Sequence, residues 1–286
     1  MSGLTRTALL MGLLTTMLLL VGVAASYLTG IPMAQTLGFF VVLSIIMNLS
    51  MYWYADRWVL SIYRAKLVGE AEQPELHAMV ERLAANAGLP KPKVAIVPVD
   101  VPNAFATGRS PSHAVVAVTR GALNLLNDDE LEGVLGHELS HIKNHDMLVN
   151  TMAAIIGAVI TYVTYFTMFS GRRDRDSGGG LLALLLLLIV PFAATLVRLS
   201  ISRGREYAAD EDGAKISRKP LSLANALRKL ETAAKNSPLR QGNPSTAHLF
   251  IVNPFRGTGI ANLFSTHPPT QERIARLERI AETMRT

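Results

Sequence analysis

The sequence predicts an integral membrane protein, mainly α, in which four hydrophobic segments accompany an α+β domain with a small sheet. Three observations carry that expectation. Of the 286 residues 49% are apolar and only 17% charged, with a mean hydropathy of +0.27, whereas an ordinary soluble domain carries about 25% charge. The apolar residues gather into runs without a single ionisable side chain. The two polar stretches left over mix helical and strand periodicity.

The first run covers residues 7–55 and contains no Asp, Glu, Lys, Arg or His. A span needs about 20 residues, so the run holds two, broken at Gly30-Ile31-Pro32: Thr7–Leu28 and Met33–Tyr54. Trp53, Tyr54 and Trp58 are placed where amphipathic rings favour a membrane interface. A cleavable signal peptide ending near Ala24-Ala25-Ser26 is disfavoured, because the apolar run is too long and a second span follows at once. Further runs cover Met147–Gly171 and Ser177–Val197, the latter with Pro191 as a kink. Between them Arg172, Arg173 and Arg175 argue against translocation of the turn, so this pair either crosses or forms a shallow hairpin. Arg6, Arg57, Arg64, Lys66, Lys143, Arg198, Arg203 and Arg205 fall on one side of four crossing segments, which expects a cytoplasmic main body. The chain thus divides into a two-span region over 1–55, a first polar half over 56–146, a membrane hairpin over 147–197 and a second polar half over 198–286. The halves are expected to form one domain interrupted by the hairpin.

In the first half, Leu76, Met79, Val80 and Leu83 recur at helical spacing over Pro74–Ala87, stopped by Gly88-Leu89-Pro90. Lys93–Val99 alternates as a strand, Asn103–Pro111 reads as turn, and Ala114–Thr119 as a second strand. Asn127-Asp128-Asp129-Glu130 is a helix start with a cap and an acidic first turn, and the helix is expected to run through His145. In the second half a helix carries Glu206 and Asp210, another covers Leu221–Lys235, and Asn236–Thr258 reads as a long loop. A last helix, Gln271–Met284, turns Ile274, Leu277 and Ile280 inward and its arginines outward, as a solvated or lipid-facing surface.

The absence of cysteine excludes disulfides, thiolate metal sites and cysteine nucleophiles. A formal net charge of +6 suits basic membrane flanks. A nucleic-acid partner would rest on that charge alone, without interleaved aromatic residues, and is not expected.

The sharpest pattern is His137-Glu138-Leu139-Ser140-His141. Residues i and i+4 of a helix share a face about 6 Å apart, so the two imidazoles can hold one Zn²⁺ and Glu138 can reach a water on it. A hydrolytic zinc usually takes a third protein ligand. His145 lies about 12 Å along a continuous helix from His137 and reads as a flanking residue. Glu206 is the better third ligand, with Asp210 one turn later placed to orient a ligand histidine. Alternatively the two acids pair with Arg203, Arg205 or Lys215 as surface charges.

With these residues the chain resembles the HtpX-type membrane metalloproteases, relatives of the type I CAAX prenyl proteases. The matching stretches are 103–106, 118–123, 137–141, 202–210, 246–254 and 263–269, and the paired hydrophobic segments extend the likeness to nearly the whole chain. The resemblance implies a zincin-like metalloprotease domain, with His137, His141 and Glu206 as ligands of one Zn²⁺ per chain and Glu138 as general base. It implies a bacterial inner-membrane, multi-pass protein with a cytoplasmic active site, acting on damaged or misassembled membrane proteins. His267, His248 and Tyr207 are candidate oxyanion donors. Asn103, opening the stretch to Gly108, is the candidate edge for an extended protein or peptide substrate, or only a turn-shaping residue. Processing of specific, CAAX-like peptides and a non-catalytic zinc-binding scaffold are the alternatives.

Overall fold

A computed structural model describes residues 3–152, 203–236, 250–252 and 268–284. The third hydrophobic segment beyond residue 152, the whole fourth segment, His248 and His267 lie outside the described residues.

Two long helices open the chain, α1 over Gly3–Thr29 and α2 over Met33–Ile62. The break falls where expected, at Gly30 with φ +71° and at Pro32, which precedes the first residue of α2. Thr7–Tyr27 and Met33–Tyr54 are long and apolar enough to cross a membrane. One bond joins them inside the apolar layer, from Asn48 Nδ2 to Thr15 Oγ1 at 3.0 Å. There an amide left alone in hydrocarbon would be costly.

The polar part builds a four-stranded mixed sheet in the order β1-β2-β4-β3. β1 is Lys66–Leu67, β2 Lys93–Val97, β3 Ala104–Gly108 and β4 Ala114–Thr119. β2 and β4 are parallel, and β1 and β3 pair antiparallel on the two flanks. β3 corrects the expected turn: Ala104–Gly108 is a buried strand in register with β4, Ala104 opposite Val118 and Gly108 opposite Ala114. Its Asn103 and Gly108 borders mimic a turn sequence, and five residues are too few for alternation to outweigh them.

The two faces of the sheet belong to different cores. Val94, Ala104, Ala106, Val116 and Val118 join the core of the helical domain. Ala95, Val97, Phe105, Val115 and Ala117 face a second cluster with Leu10, Leu14 and Leu18 of α1, Met51 and Val59 of α2, and Leu148, Val149 and Met152. Strand alternation therefore mortises the apolar helix pair to the helical domain on the other face.

On the first face lie α3 (Pro74–Ala87), the short α4 (Arg120–Leu125) and α5 (Asp128–Lys143), followed by α6 (Arg203–Ser217), α7 (Pro220–Asn236) and α8 (Thr270–Thr283). α5 starts as its sequence requires: Asn127 Oδ1 accepts from the Glu130 backbone N–H, and Glu130 returns a bond to the Asn127 N–H. This capping box meets orphan donors while acidic residues answer the helix dipole. Its end differs from expectation. α5 stops at Lys143, Asn144 is its C-cap, and His145 takes φ +56°. That left-handed residue lets the Asp146 N–H bond the His141 carbonyl at 2.9 Å, folding the chain back under the helix.

α5 is buried on nearly all sides, and its closest neighbour is α6. A Cβ on Gly213 would stand 2.7 Å from the His137 backbone nitrogen, and one on Gly136 would stand 2.7 Å from the Gly213 carbonyl oxygen. Two glycines thus bring the backbones together where side chains would hold them apart. Gly213→Ala is expected to force the helices to separate and to lower stability by about 1–3 kcal/mol. Thermal unfolding of the detergent-solubilised chain measures the loss, and an unchanged midpoint would contradict this account of the crossing.

Candidate metal centre

Three side chains from the α5–α6 crossing converge. One ligand atom each from His137, His141 and Glu206 lies within 4.8 Å of the others. The His137 and His141 Nε2 atoms are 3.2 Å apart. Glu206 Oε2 stands 3.7 Å from the first and its Oε1 3.7 Å from the second. All three residues are buried. His145 is exposed, because the chain turns away before reaching it.

Carboxylates fix both rings from behind. Asp210 Oδ1 sits 2.9 Å from His137 Nδ1, and Asp146 Oδ2 sits 3.5 Å from His141 Nδ1. An ionised carboxylate only accepts, so each Nδ1 carries a proton and each Nε2 turns toward the other. Two lone pairs cannot face each other at 3.2 Å without a positive charge between them. Burial alone would depress the His141 imidazole, but Asp146, Glu206 and Glu138 prevail and raise it to about 9. Nitrogens with a carboxylate across from them are also the donor set that suits a transition-metal cation, so the residues fit the metal their spacing suggested.

The acids are not surface charges. Glu206 and Asp210 are buried, and Lys215 pairs instead with Glu211. Asp210 is held by Arg273, whose Nε and Nη2 donate to its two oxygens at 2.8 and 2.7 Å. Burial would raise the Asp210 carboxyl, yet the Arg273 charge and bonds hold it below its usual range. Arg273 corrects the expectation of outward arginines on the last helix: it is 1% exposed. It lies one turn from Leu277 and beside Ile274, on the edge of the apolar stripe, a position that periodicity alone could have flagged. Asp146 was not singled out, because a helix running through His145 as expected would carry it away from the His141 ring. Burial raises this carboxyl, while His141 and Arg205, whose Nη1 is 3.1 Å away, bring it down.

Glu138 lies beside these three side chains with its Oε2 accepting from the Ala106 N–H of β3 at 2.9 Å. Burial pushes its carboxyl up, against the pull of His137 and His141. Asn103, expected as a substrate edge, is buried and structural. Its N–H donates to Thr119 Oγ1 at 2.8 Å, and its Oδ1 accepts from the Ile251 N–H at 3.1 Å. The Ile251 carbonyl in turn accepts from Arg273 Nη1 at 3.0 Å. Tyr207, expected as a possible oxyanion donor, is not brought to the centre. Its hydroxyl bonds Glu272, and Arg276 stacks on its ring at 3.7 Å.

Residues 70–281 match the profile of peptidase family M48. The chain is 54% identical over 285 residues to a protein described as "Protease HtpX homolog" from Thermococcus kodakarensis, covering 98% of this chain and 96% of that one. It is 50% identical over 287 residues to a protein of the same description from Persephonella marina, covering 98% of each. The crystal structure of S. mikatae Ste24p superposes with a TM-score of 0.51 at 19% identity, covering 91% of this chain and 62% of that chain, a likeness of fold.

Two outcomes follow from the geometry. A cation taking His141 Nε2 must displace the proton held there up to about pH 9. Affinity should therefore rise about tenfold per pH unit for each proton displaced and level off above that value. Calorimetric Zn²⁺ titrations in buffers of different ionisation heat read the released proton directly. Arg273→Met leaves Asp210 buried without its partner and should weaken metal binding by about 10–100-fold, measured by competition with a chelating dye. Equal affinity in the variant would remove Arg273 from the support of His137.

Proposed function

The chain belongs to peptidase family M48, and from that premise we propose that this metallopeptidase is a zinc-dependent endopeptidase of membrane-protein quality control. The observation that carries the reading is the convergence of His137, His141 and Glu206 within 4.8 Å, with the Glu138 carboxylate beside them. These three residues would hold one Zn²⁺ per chain. When bound, the ion supplies the Lewis acidity that brings the pKa of a water to about 7 and draws charge from a carbonyl oxygen.

The protein's own residues do the rest. The Ala106 N–H fixes Glu138 Oε2, which leaves Oε1 to work as the base. Glu138 takes a proton from water as the water oxygen attacks the peptide carbonyl carbon. It then passes that proton to the amide nitrogen as the C–N bond breaks. A raised Glu138 carboxyl suits this, since a base that must also act as an acid works best near the operating pH. Asp210 and Asp146 keep the imidazoles aimed, and Arg273 keeps Asp210 in place. His248 and His267 remain the proposed donors to the developing oxyanion.

The substrates we infer are misfolded or damaged membrane proteins, presented as extended segments. β3 is the terminal strand of its sheet, and main-chain pairing along such an edge recognises backbone rather than sequence. We place the protein in the cytoplasmic membrane, multi-pass, with the centre on the cytoplasmic side, because Arg57, Arg64 and Lys66 directly follow the second apolar span.

Casein digestion by the metal-stripped chain, with and without added Zn²⁺, tests the reading beside Glu138→Gln. Cleavage should require Zn²⁺ and fall about 10²–10⁴-fold in the variant while bound zinc stays at one per chain. Zinc binding without cleavage by the wild type would favour processing of a specific peptide or a scaffold. No zinc binding would overturn the proposal.

A further inference from the structure

Two contacts set the height of the reacting groups above the membrane. α2 is one continuous helix, and Met33–Tyr54 is its apolar part. These residues rise about 33 Å at 1.5 Å each, enough for the hydrocarbon core of about 30 Å. Residues 55–62 therefore project from the bilayer as a post. Trp53, Tyr54 and Trp58 are 50%, 48% and 43% exposed, and mark the interface at its foot.

β3 lies along this post. The Phe105 ring meets Tyr63 with centroids 5.4 Å apart, and the Arg109 guanidinium stands 4.5 Å over the Trp53 ring. Ten helical residues separate Trp53 from Tyr63, a rise of about 15 Å. Four extended residues separate Phe105 from Arg109, about 13 Å. The two lengths agree, so β3 runs antiparallel to the post, close to the membrane normal, with its Gly108 end toward the bilayer. Ala106, whose N–H holds Glu138, comes three residues before Arg109, about 10 Å along the strand. The base of the proposed hydrolysis thus stands about 10 Å outside the level of Trp53.

We propose that this protein measures its cleavage site from the bilayer, cutting membrane-anchored polypeptides about three to six residues beyond the membrane surface. The inference rests on the endopeptidase reading above and on α2 crossing the membrane. A bond closer than about three extended residues cannot reach Glu138 without drawing its anchor out of the lipid. A bond much farther out loses the benefit of the tether, because effective concentration falls roughly as the −3/2 power of tether length, about eightfold for a fourfold longer tether. The substrate class is therefore a membrane protein with an unfolded segment next to a span. In a folded membrane protein that segment is short or structured, so height above the bilayer would itself separate damaged from intact chains.

The test uses the full chain, loaded with Zn²⁺ in liposomes, and a single-span peptide whose tail repeats one short sequence. The tail offers the same residues at every distance, and mass spectrometry maps the cuts. The expected result is a cluster about three to six residues from the anchor, with the unanchored tail cut more slowly at the same bulk concentration. Arg109→Gln and Trp53→Ala should broaden the cluster, read as the distribution of cuts along the anchored tail after each variant is normalised to its own rate on the free tail. Cuts spread evenly along the anchored tail, with the free tail still cleaved, would overturn the ruler and leave the endopeptidase standing. No cleavage of anchored tail, free tail or casein by the zinc-loaded chain would overturn both.

Discussion

The salt bridge between Arg273 and Asp210 is the interaction on which the centre depends. Asp210 and Arg273 are each 1% exposed, and neither charge is tolerable there alone, since one unpaired buried ion costs several kcal/mol. Together they are satisfied and directional. Both Asp210 oxygens accept from the guanidinium, and one of them also holds His137 Nδ1. The same guanidinium donates to the Ile251 carbonyl, and the Ile251 N–H in turn donates to Asn103 Oδ1. α8, α6, α5 and the entry to β3 are thereby tied through one buried cation. Chain segments far apart in sequence must all be in place before His137 points where it does.

The second constraint is steric. Ligands from two helices can meet one cation only if the backbones approach closely, and Gly136 and Gly213 allow that at the level of His137. One turn before the crossing, α6 presents Asp210, and a further turn back it presents Glu206, the i,i+4 repeat that sets both acids on one face. α5 presents His137 and His141 by the same repeat. The centre is in this sense two amphipathic stripes whose inner faces are polar, a pairing that burial would punish without a cation to share. The carboxylates that raise the His141 imidazole to about 9 are the same groups that suit the site to a cation.

Much of this was legible in the sequence because it depends on local periodicity. The two spans, α3, α5 with its cap, β2 and β4 follow from runs, caps and alternation, and the helical repeat pairs His137 with His141, while Glu206 joined them through the family resemblance. What was not legible depends on contacts across the chain. The place of Arg273 at the edge of the apolar stripe of α8 marks it off from the other arginines, but only Asp210 opposite it explains a buried charge there. Asp146 becomes a partner of His141 only because His145 adopts φ +56° and reverses the chain, and nothing in a helical pattern announces a left-handed residue one position past a cap. β3 is five residues long and is recognisable as a strand only through β4.

β3 also joins parts that are usually treated separately. Its side chains divide between the two cores, Ala104 and Ala106 toward α5 and Phe105 toward the membrane helices. Its backbone holds Glu138 through Ala106, and the chain just beyond it meets Trp53 through Arg109. A displacement of α2 relative to the domain would therefore strain the strand that holds Glu138, because a strand packed on both faces cannot follow one face without leaving the other. The α1–α2 pair is on this argument part of the scaffold around Glu138 as well as an apolar anchor. Cutting the chain at Tyr63 would leave Phe105, Val97 and Ala117 without the α1 and α2 side chains of their cluster, and the face of the sheet that steadies Glu138 would lose its cover.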